Sequence, residues 1–286
     1  MILSASAPAK INRELRVGRI RPDGFHEIRS RMVSISVADV IRVESADELA
    51  FACDDPAVPG GSDNLVVRAA ERLAEDAGVR PRARITLEKR TPMGGGLGGG
   101  SADAAVTLRL LSRLWQLGAD TARLERLSAD LGSDVAFFVT GGQADVTGRG
   151  EIVTSVPDGP PAELLLLVPP FSISTAAVYR AQAGRYALVP KLEVASPNRR
   201  EFLGPNDLAS AVLATEPRMQ AYLESAADLT ADHAISGSGS TIVLHGAPAE
   251  AVEFLSARHP EARVLRCQTL TRHGYQRESN PRGGLP

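Results

Sequence analysis

At 286 residues the chain can bury a large core, and its length suits two α/β domains better than one. Lys plus Arg number 32 against 34 Asp plus Glu, a formal net charge of −2, so no global basic field exists to hold nucleic acid or an anionic membrane. Anion recognition must be local, and Cys53 and Cys267, far apart and outside any metal-spaced or redox pair, suit bystander thiols in a reducing cytoplasm.

In chain order, Met1 to Ala9 is too short and too polar for a signal peptide. Ala9 to Val17 is strand-like, Val33 to Val43 is rich in β-branched residues, and Asp23-Gly24 between them is a hairpin turn signal. Asp63 to Ala77 places Leu65, Val66, Ala69, Ala70 and Leu73 at helical spacing, with Ser62 or Asp63 as the expected N-cap. Ala83, Ile85 and Leu87 alternate with Arg84, Thr86 and Glu88, the pattern of a half-buried strand. After a glycine cluster, Ser101 to Trp115 reads as a helix whose apolar side carries Ala105, Leu108, Leu111, Leu114 and Trp115, and a further helix is expected over Thr121 to Leu131.

Pro157, Gly159, Pro160 and Pro161 mark the expected boundary between an N-terminal domain, 1–157, and a C-terminal domain, 158–271. Leu164 to Val168 is far shorter than the roughly 20 residues of a membrane span and reads as a buried strand. Helices near Thr175 to Arg185, Asn206 to Ala214 and Pro248 to Ala257, with a strand at Thr241 to Leu244, suggest an α+β domain. The tail, 272–286, has few apolar residues and is expected to be disordered.

The run Pro92 to Ser101 holds six glycines in the seven positions from Gly94 to Gly100, between a strand and a helix. Without Cβ atoms the backbone can approach a ligand closely and take positive φ, so main-chain amides can converge on one point. The N-terminus of the next helix faces that point, which makes an anion site suited to phosphates. No Lys-Ser or Lys-Thr pair follows, so this is not a Walker loop, and the flanking strand and amphipathic helix argue against a flexible linker.

Phosphoryl transfer needs charge neutralisation and a group that orients or deprotonates the attacking hydroxyl. Asp134 stands before the apolar run Val135 to Phe138, as a candidate base or a helix N-cap. Lys10 and Asn12 share one side of the first strand by its period of two, as cleft residues or solvated polar ones. His26, after the turn, is a candidate ligand contact or an ordinary surface histidine.

Together these motifs resemble the superfamily of galactokinase, homoserine kinase, mevalonate kinase and phosphomevalonate kinase, whose loop Pro-x-Gly-x-Gly-Leu-Gly-Ser-Ser-Ala is matched by Pro92 to Ala102. Pro8-Ala9-Lys10-Ile11-Asn12, Asp23-Gly24-Phe25-His26, Asp63-Asn64-Leu65, Gly96 to Ala105, Gly132 to Phe138 and Ser236 to Ser240 resemble one family within it, the 4-diphosphocytidyl-2-C-methyl-D-erythritol kinases. The match runs in order over about residues 5 to 270.

The resemblance implies a two-domain α+β kinase fold, with an α/β nucleotide-binding domain followed by a ferredoxin-like one. It implies ATP and Mg²⁺, and a small-molecule acceptor phosphorylated on its 2-hydroxyl in the non-mevalonate route to isoprenoids. Nucleic acid and membrane are not expected as partners, and the chain is expected in the cytoplasm as a monomer or homodimer. Asp134 matches the catalytic base and Lys10 its partner. Pro92, Met93, Gly94, Gly95, Gly96, Leu97, Gly98, Gly99, Gly100, Ser101 and Ala102 match the ATP loop, and Asn64 and Lys89 match positions near the nucleoside of ATP. Asn12, Phe25 and His26 match those that hold cytidine, Phe25 by stacking. Arg13-Glu14 stand where the family has an apolar residue, with Glu14 on the Lys10 face by alternation; Phe25, Ser133 and Ala136 replace a usual Tyr, Ala and Pro. The alternatives are another kinase of the superfamily, of homoserine or mevalonate type, and a catalytically silent nucleotide-binding regulator.

Overall fold

The computed structural model describes residues 1–183 and 202–283. The chain opens with two long antiparallel strands, β1 (Ile2–Ile20) and β2 (His26–Glu44), joined through Arg21 to Phe25 with Gly24 at φ +82°. Both outrun the expected strands at each end, because small buried residues such as Ala5 and Ala7 continue the inward face where bulky apolar ones are lacking. The pairing slips between Pro8 and Lys10 and between Asn12 and Glu14. A proline has no N–H for a ladder, so a slip beside it is expected.

Next come β3 (Ala50–Cys53), α1 (Leu65–Ala77), β4 (Arg84–Glu88), α2 (Gly99–Leu114), α3 (Thr121–Ala129), α4 (Val135–Thr140), β5 (Gln143–Gly148) and β6 (Ile152–Ser155). The sheet runs β3-β4-β2-β5-β6, with β1 on the other edge of β2. α1 and α2 pack against it, with Val66, Ala69, Ala70 and Leu73 meeting Leu108 and Leu111 in one buried cluster. Truncating a buried leucine such as Leu108 to alanine costs roughly 2–5 kcal/mol. The N-cap of α1 is Asn64, one or two residues beyond the expected Ser62 or Asp63, and its Oδ1 accepts the Val66 amide at 2.8 Å.

The second half holds β7 (Glu163–Val168), α5 (Thr175–Gln182), α6 (Ala209–Thr215), α7 (Met219–Ala227), β8 (His233–Ile235), β9 (Ile242–His245), α8 (Ala251–Arg258) and β10 (Arg263–Gln268). The strand order β10-β7-β9-β8, antiparallel throughout, is the ferredoxin-like arrangement. The end of the helix expected to reach Arg185 lies outside the described residues. The unbroken apolar run in β7 has a physical cause. Leu165 and Leu167 join the cluster under α6 and α7, while Leu164, Leu166 and Val168 pack against Ala9, Ile11, Val33 and Ile35 of β1 and β2. A strand buried on both faces loses the polar alternation of a half-exposed one.

The expectation of a disordered tail from residue 272 is corrected. Arg272–Ser279 forms a helix, α9, capped by Thr271 and packed against β1, with Tyr275 fully buried among Phe137 and Phe138. Composition misled here because one aromatic side chain and backbone-directed arginines hold the helix. Among the described residues, no helix is long and apolar enough to cross a membrane.

Candidate active site

The glycine loop joins β4 to α2 and uses its missing side chains in two ways. Gly94, Gly96 and Gly98 take φ of +67°, +75° and +70°, which L-residues rarely adopt. The loop also lies tight against its neighbours: a Cβ on Gly96 would overlap the Ser236 carbonyl, and one on Gly98 would come 2.9 Å from Phe138 Cζ. Helix α2 starts at Gly99, two residues before the expected Ser101, with Gly98 as an N-cap that has no side chain to offer. The first-turn amides therefore receive no side-chain cap and are oriented for an anion.

Residues from distant segments hold this loop. The Lys10 amide donates to Leu97 O at 3.0 Å, the Thr241 amide to Gly95 O at 3.2 Å, and the Ser236 hydroxyl to Gly96 O at 3.0 Å. The Ser236 to Ser240 segment thus buttresses the glycine loop from the second sheet.

Lys10 is buried rather than solvated. Its ammonium donates to Asn12 Oδ1 at 2.7 Å and to Gly96 O at 3.0 Å, and lies 3.4 Å from Asp134 Oδ2. Asn12 is fixed in turn by donating to Ser30 Oγ at 2.7 Å, and Ser30 donates to Glu14 O at 2.7 Å. Asp134 occupies the N-cap position of α4, yet its side chain makes no capping bond. The carboxylate is directed to Lys10 and the cavity instead, an arrangement with little to offer helix stability and much to offer proton transfer.

Beneath the first turn of α2 lies a buried cluster that sequence reasoning missed. Lys89 Nζ donates to Asp39 Oδ2 at 2.5 Å and to Asp103 Oδ2 at 2.8 Å, and Asp39 Oδ1 also accepts the Arg90 and Thr91 amides. Burial pushes the Asp103 carboxyl up to about 8 despite the pull of Lys89, with Asp39 adding to the rise. Burial works against the Lys89 charge, but Asp103 and Asp39 outweigh it and hold that lysine above its ordinary value. A lone Asp near the start of a helix, four residues past Gly99, gives no sequence signal of such a partner 14 residues away.

Lys10, Asp134, Lys89, Asp103 and the glycine loop open onto one cavity of about 990 Å³. It is lined by Lys10, Asn12, Phe25, His26, Asn64, Lys89, Asp134 and the loop from Pro92 to Ser101. Of the expected site residues only Ala102 is elsewhere, fully buried in the core cluster, because the early start of α2 turns it inward. Asn64 lines the cavity while its amide caps α1 and donates to Pro59 O at 2.6 Å. At the far end, the His26 ring stacks on Tyr179 with centroids 5.3 Å apart, and its Nδ1 is 3.3 Å from Gly18 O. Phe25 is half exposed, and the Arg149 guanidinium lies 5.1 Å from its ring centroid. Tyr179 and Arg149, also lining residues, carried no sequence signal.

The model for the GHMP kinases N terminal domain matches residues 64–146. A relative from Geobacillus kaustophilus, 4-diphosphocytidyl-2-C-methyl-D-erythritol kinase, is 39% identical over 253 residues, 85% of this chain and 87% of that one. The chain belongs to the 4-diphosphocytidyl-2-C-methyl-D-erythritol kinase family. The Geobacillus thermodenitrificans protein of the same name is 45% identical over 183 residues, where the alignment spans 63% of each chain. A crystal structure of 4-(cytidine 5'-diphospho)-2C-methyl-D-erythritol kinase superposes with a TM-score of 0.73 at 31% identity, covering 93% of this chain and 98% of that one.

Within this kinase family the Arg13-Glu14 pair is an accommodated departure. The slip between Asn12 and Glu14 breaks the alternation that would bring Glu14 beside Lys10, and Glu14 instead accepts Arg16 Nε at 3.0 Å. Arg13 donates from Nε to Phe202 O at 2.9 Å and from Nη1 to Gln143 Oε1 at 3.1 Å, with its guanidinium 3.9 Å from the Phe202 ring centroid. It fastens β1 to the second half of the chain and leaves Lys10 alone.

Proposed function

We propose that the protein transfers the γ-phosphoryl group of ATP to the 2-hydroxyl of 4-diphosphocytidyl-2-C-methyl-D-erythritol, a step of the non-mevalonate isoprenoid route in the cytoplasm. The observation that carries this is the Lys10–Asp134 pair, 3.4 Å apart, beside a glycine loop with uncapped helix amides in the same cavity.

The loop fits ATP because the first-turn amides of α2 have no side-chain cap and the loop that leads to them lines the cavity. Gly94 to Ser101 would cradle the phosphates, and Asn64 and Lys89 would flank the nucleoside. Mg²⁺ is part of the proposal; arriving with the nucleotide in the cavity that Asp134 and the glycine loop line, it would neutralise charge on the transferring group. Asp134 accepts the hydroxyl proton as the acceptor oxygen bonds to the γ-phosphorus. The bond from that phosphorus to its bridging oxygen breaks, and ADP leaves. Lys10, held by Asn12 and Gly96, fixes the carboxylate and offers positive charge beside the reacting oxygen. At the other end Phe25 and His26 would hold the cytidine, with the Tyr179 ring backing His26, whereas Asn12, expected among the cytidine contacts, sits beside Lys10 and supports the reacting end instead.

The test is a coupled ADP-release assay with the cytidine-diphosphate substrate, and with homoserine and mevalonate as controls. Turnover with the first alone is expected. Turnover with a control alone would assign the chain to another kinase type, and none with any alcohol would mark it as a nucleotide-binding regulator.

A further inference from the structure

The single turn α4 carries Asp134 at its start, and its far end is held by residues from two other parts of the chain. A six-residue helix cannot maintain its own geometry in water, so outside contacts decide where it points. Three carbonyls of its last turn are each taken by a different donor. The Gly141 amide donates to Phe137 O at 2.8 Å, the Tyr275 hydroxyl to Phe138 O at 2.5 Å, and Arg109 Nη2 to Val139 O at 2.7 Å. Arg109, on α2, also donates from Nη1 to Ser279 Oγ at 2.6 Å, so it joins α2, α4 and α9.

Tyr275 belongs to α9, and its ring fills the space that a side chain on Gly141 would need. Burial pushes the Tyr275 hydroxyl up to about 12, so it remains a donor. The residue that accepts from it is also in contact with the site: the tip of the Phe138 ring lies against Gly98, where the Lys10 stem arrives as well. A path of direct contacts therefore runs from Tyr275 through Phe138 to Gly98 and Lys10, with Asp134 on the same turn.

We propose that Tyr275 is a positioning residue for phosphoryl transfer, the hydroxyl of the C-terminal helix α9 fixing α4 so that Asp134 meets Lys10 and the phosphate loop. This rests on the kinase function proposed above and adds to it a role for the last helix of the chain. Tyr275 meets Phe138, Gly141, Arg109 and Ser279, none of which lines the cavity. Its loss acts on how often Asp134 is correctly placed, which lowers kcat and leaves ground-state binding unchanged.

The test is Tyr275→Phe, which removes one oxygen and keeps the ring in its place. The expected result is a fall in kcat of about fivefold or more, with KM for ATP and for the cytidine-diphosphate acceptor within about twofold of wild type. Amide hydrogen exchange over residues 135–140 should be faster in the variant, a readout that needs no substrate. Should Tyr275→Phe fail to fold by circular dichroism, Ser279→Ala makes the same test by removing a partner of Arg109. An unchanged kcat with unchanged exchange would overturn the proposal, as would a fall in kcat no larger than the unfolded fraction seen by circular dichroism. If the wild type itself turns over no acceptor, the kinase reading fails, and the exchange measurement alone decides whether α9 holds α4.

Discussion

Asp134 Oδ2 and the Lys10 ammonium stand 3.4 Å apart, the carboxylate 29% exposed and the lysine 4%. The cation is thus fixed within the protein, and the anion meets the cavity. Asp134→Asn keeps the shape and cannot accept a proton, so kcat should fall by at least ~10²-fold while ATP affinity stays nearly intact. Steady-state kinetics with an ATP titration checks this, and unchanged turnover would remove Asp134 from the chemistry.

The loop glycines are not equivalent. Gly96 has positive φ and touches the Ser236 carbonyl, and Gly98→Val would add strain at φ +70° and a collision with Phe138. Gly96→Ala and Gly98→Val should each weaken ATP binding by at least about tenfold, since the amides must shift to admit a side chain. Gly100 is helical, and a Cβ there meets nothing nearer than Leu65 Cδ1 at 3.9 Å. Gly100→Ala should therefore retain affinity and gain about 0.5–1 kcal/mol of stability. Calorimetric titration with ATP and thermal melting distinguish the two sets; equal loss at all three positions would contradict the packing described.

His26 lines the cavity eight positions along β2 from Ser34, the strand partner of Lys10. For His26→Ala, KM for the cytidine-diphosphate acceptor should rise at least about tenfold with KM for ATP unchanged. Equal loss for both substrates would point to a folding defect instead.

Asp103 gives stability a pH dependence. Its carboxyl titrates at about 8 in the folded protein against an ordinary value of 3.8, so the folded state holds a proton that the unfolded chain releases. The contribution is fully present below 3.8 and is lost as pH rises through about 8. Melting temperature should decline across this window, and Asp103→Asn, which cannot ionise, should flatten the decline. Lys89 is raised from an ordinary 10.5 and acts above that range. A wild-type profile no steeper than that of the variant would sink this assignment.

The sequence made the site legible where chemistry constrains the backbone directly. Gly94, Gly96 and Gly98 mark a loop because side chains rarely tolerate their φ values and close contacts, and the period of two correctly set Lys10 beside Asn12. Local pattern failed where partners are remote in the chain. The β5 and β6 strands carry short, mixed runs that become strands only by pairing with β2 and each other. α9 is nearly all polar, and its order depends on Tyr275 meeting Phe138, 137 positions earlier. Glu14 misled because alternation assumes an unbroken ladder, and the slip after Asn12 breaks it.

The contact between Gly96 and Ser236 makes the glycine loop joint property of the two halves of the chain. A fragment containing only the first sheet would keep every glycine and lose the wall that shapes them. In chimeras between relatives, then, the loop and the Ser236 to Ser240 segment should be inherited from the same parent, whichever parent supplies the rest.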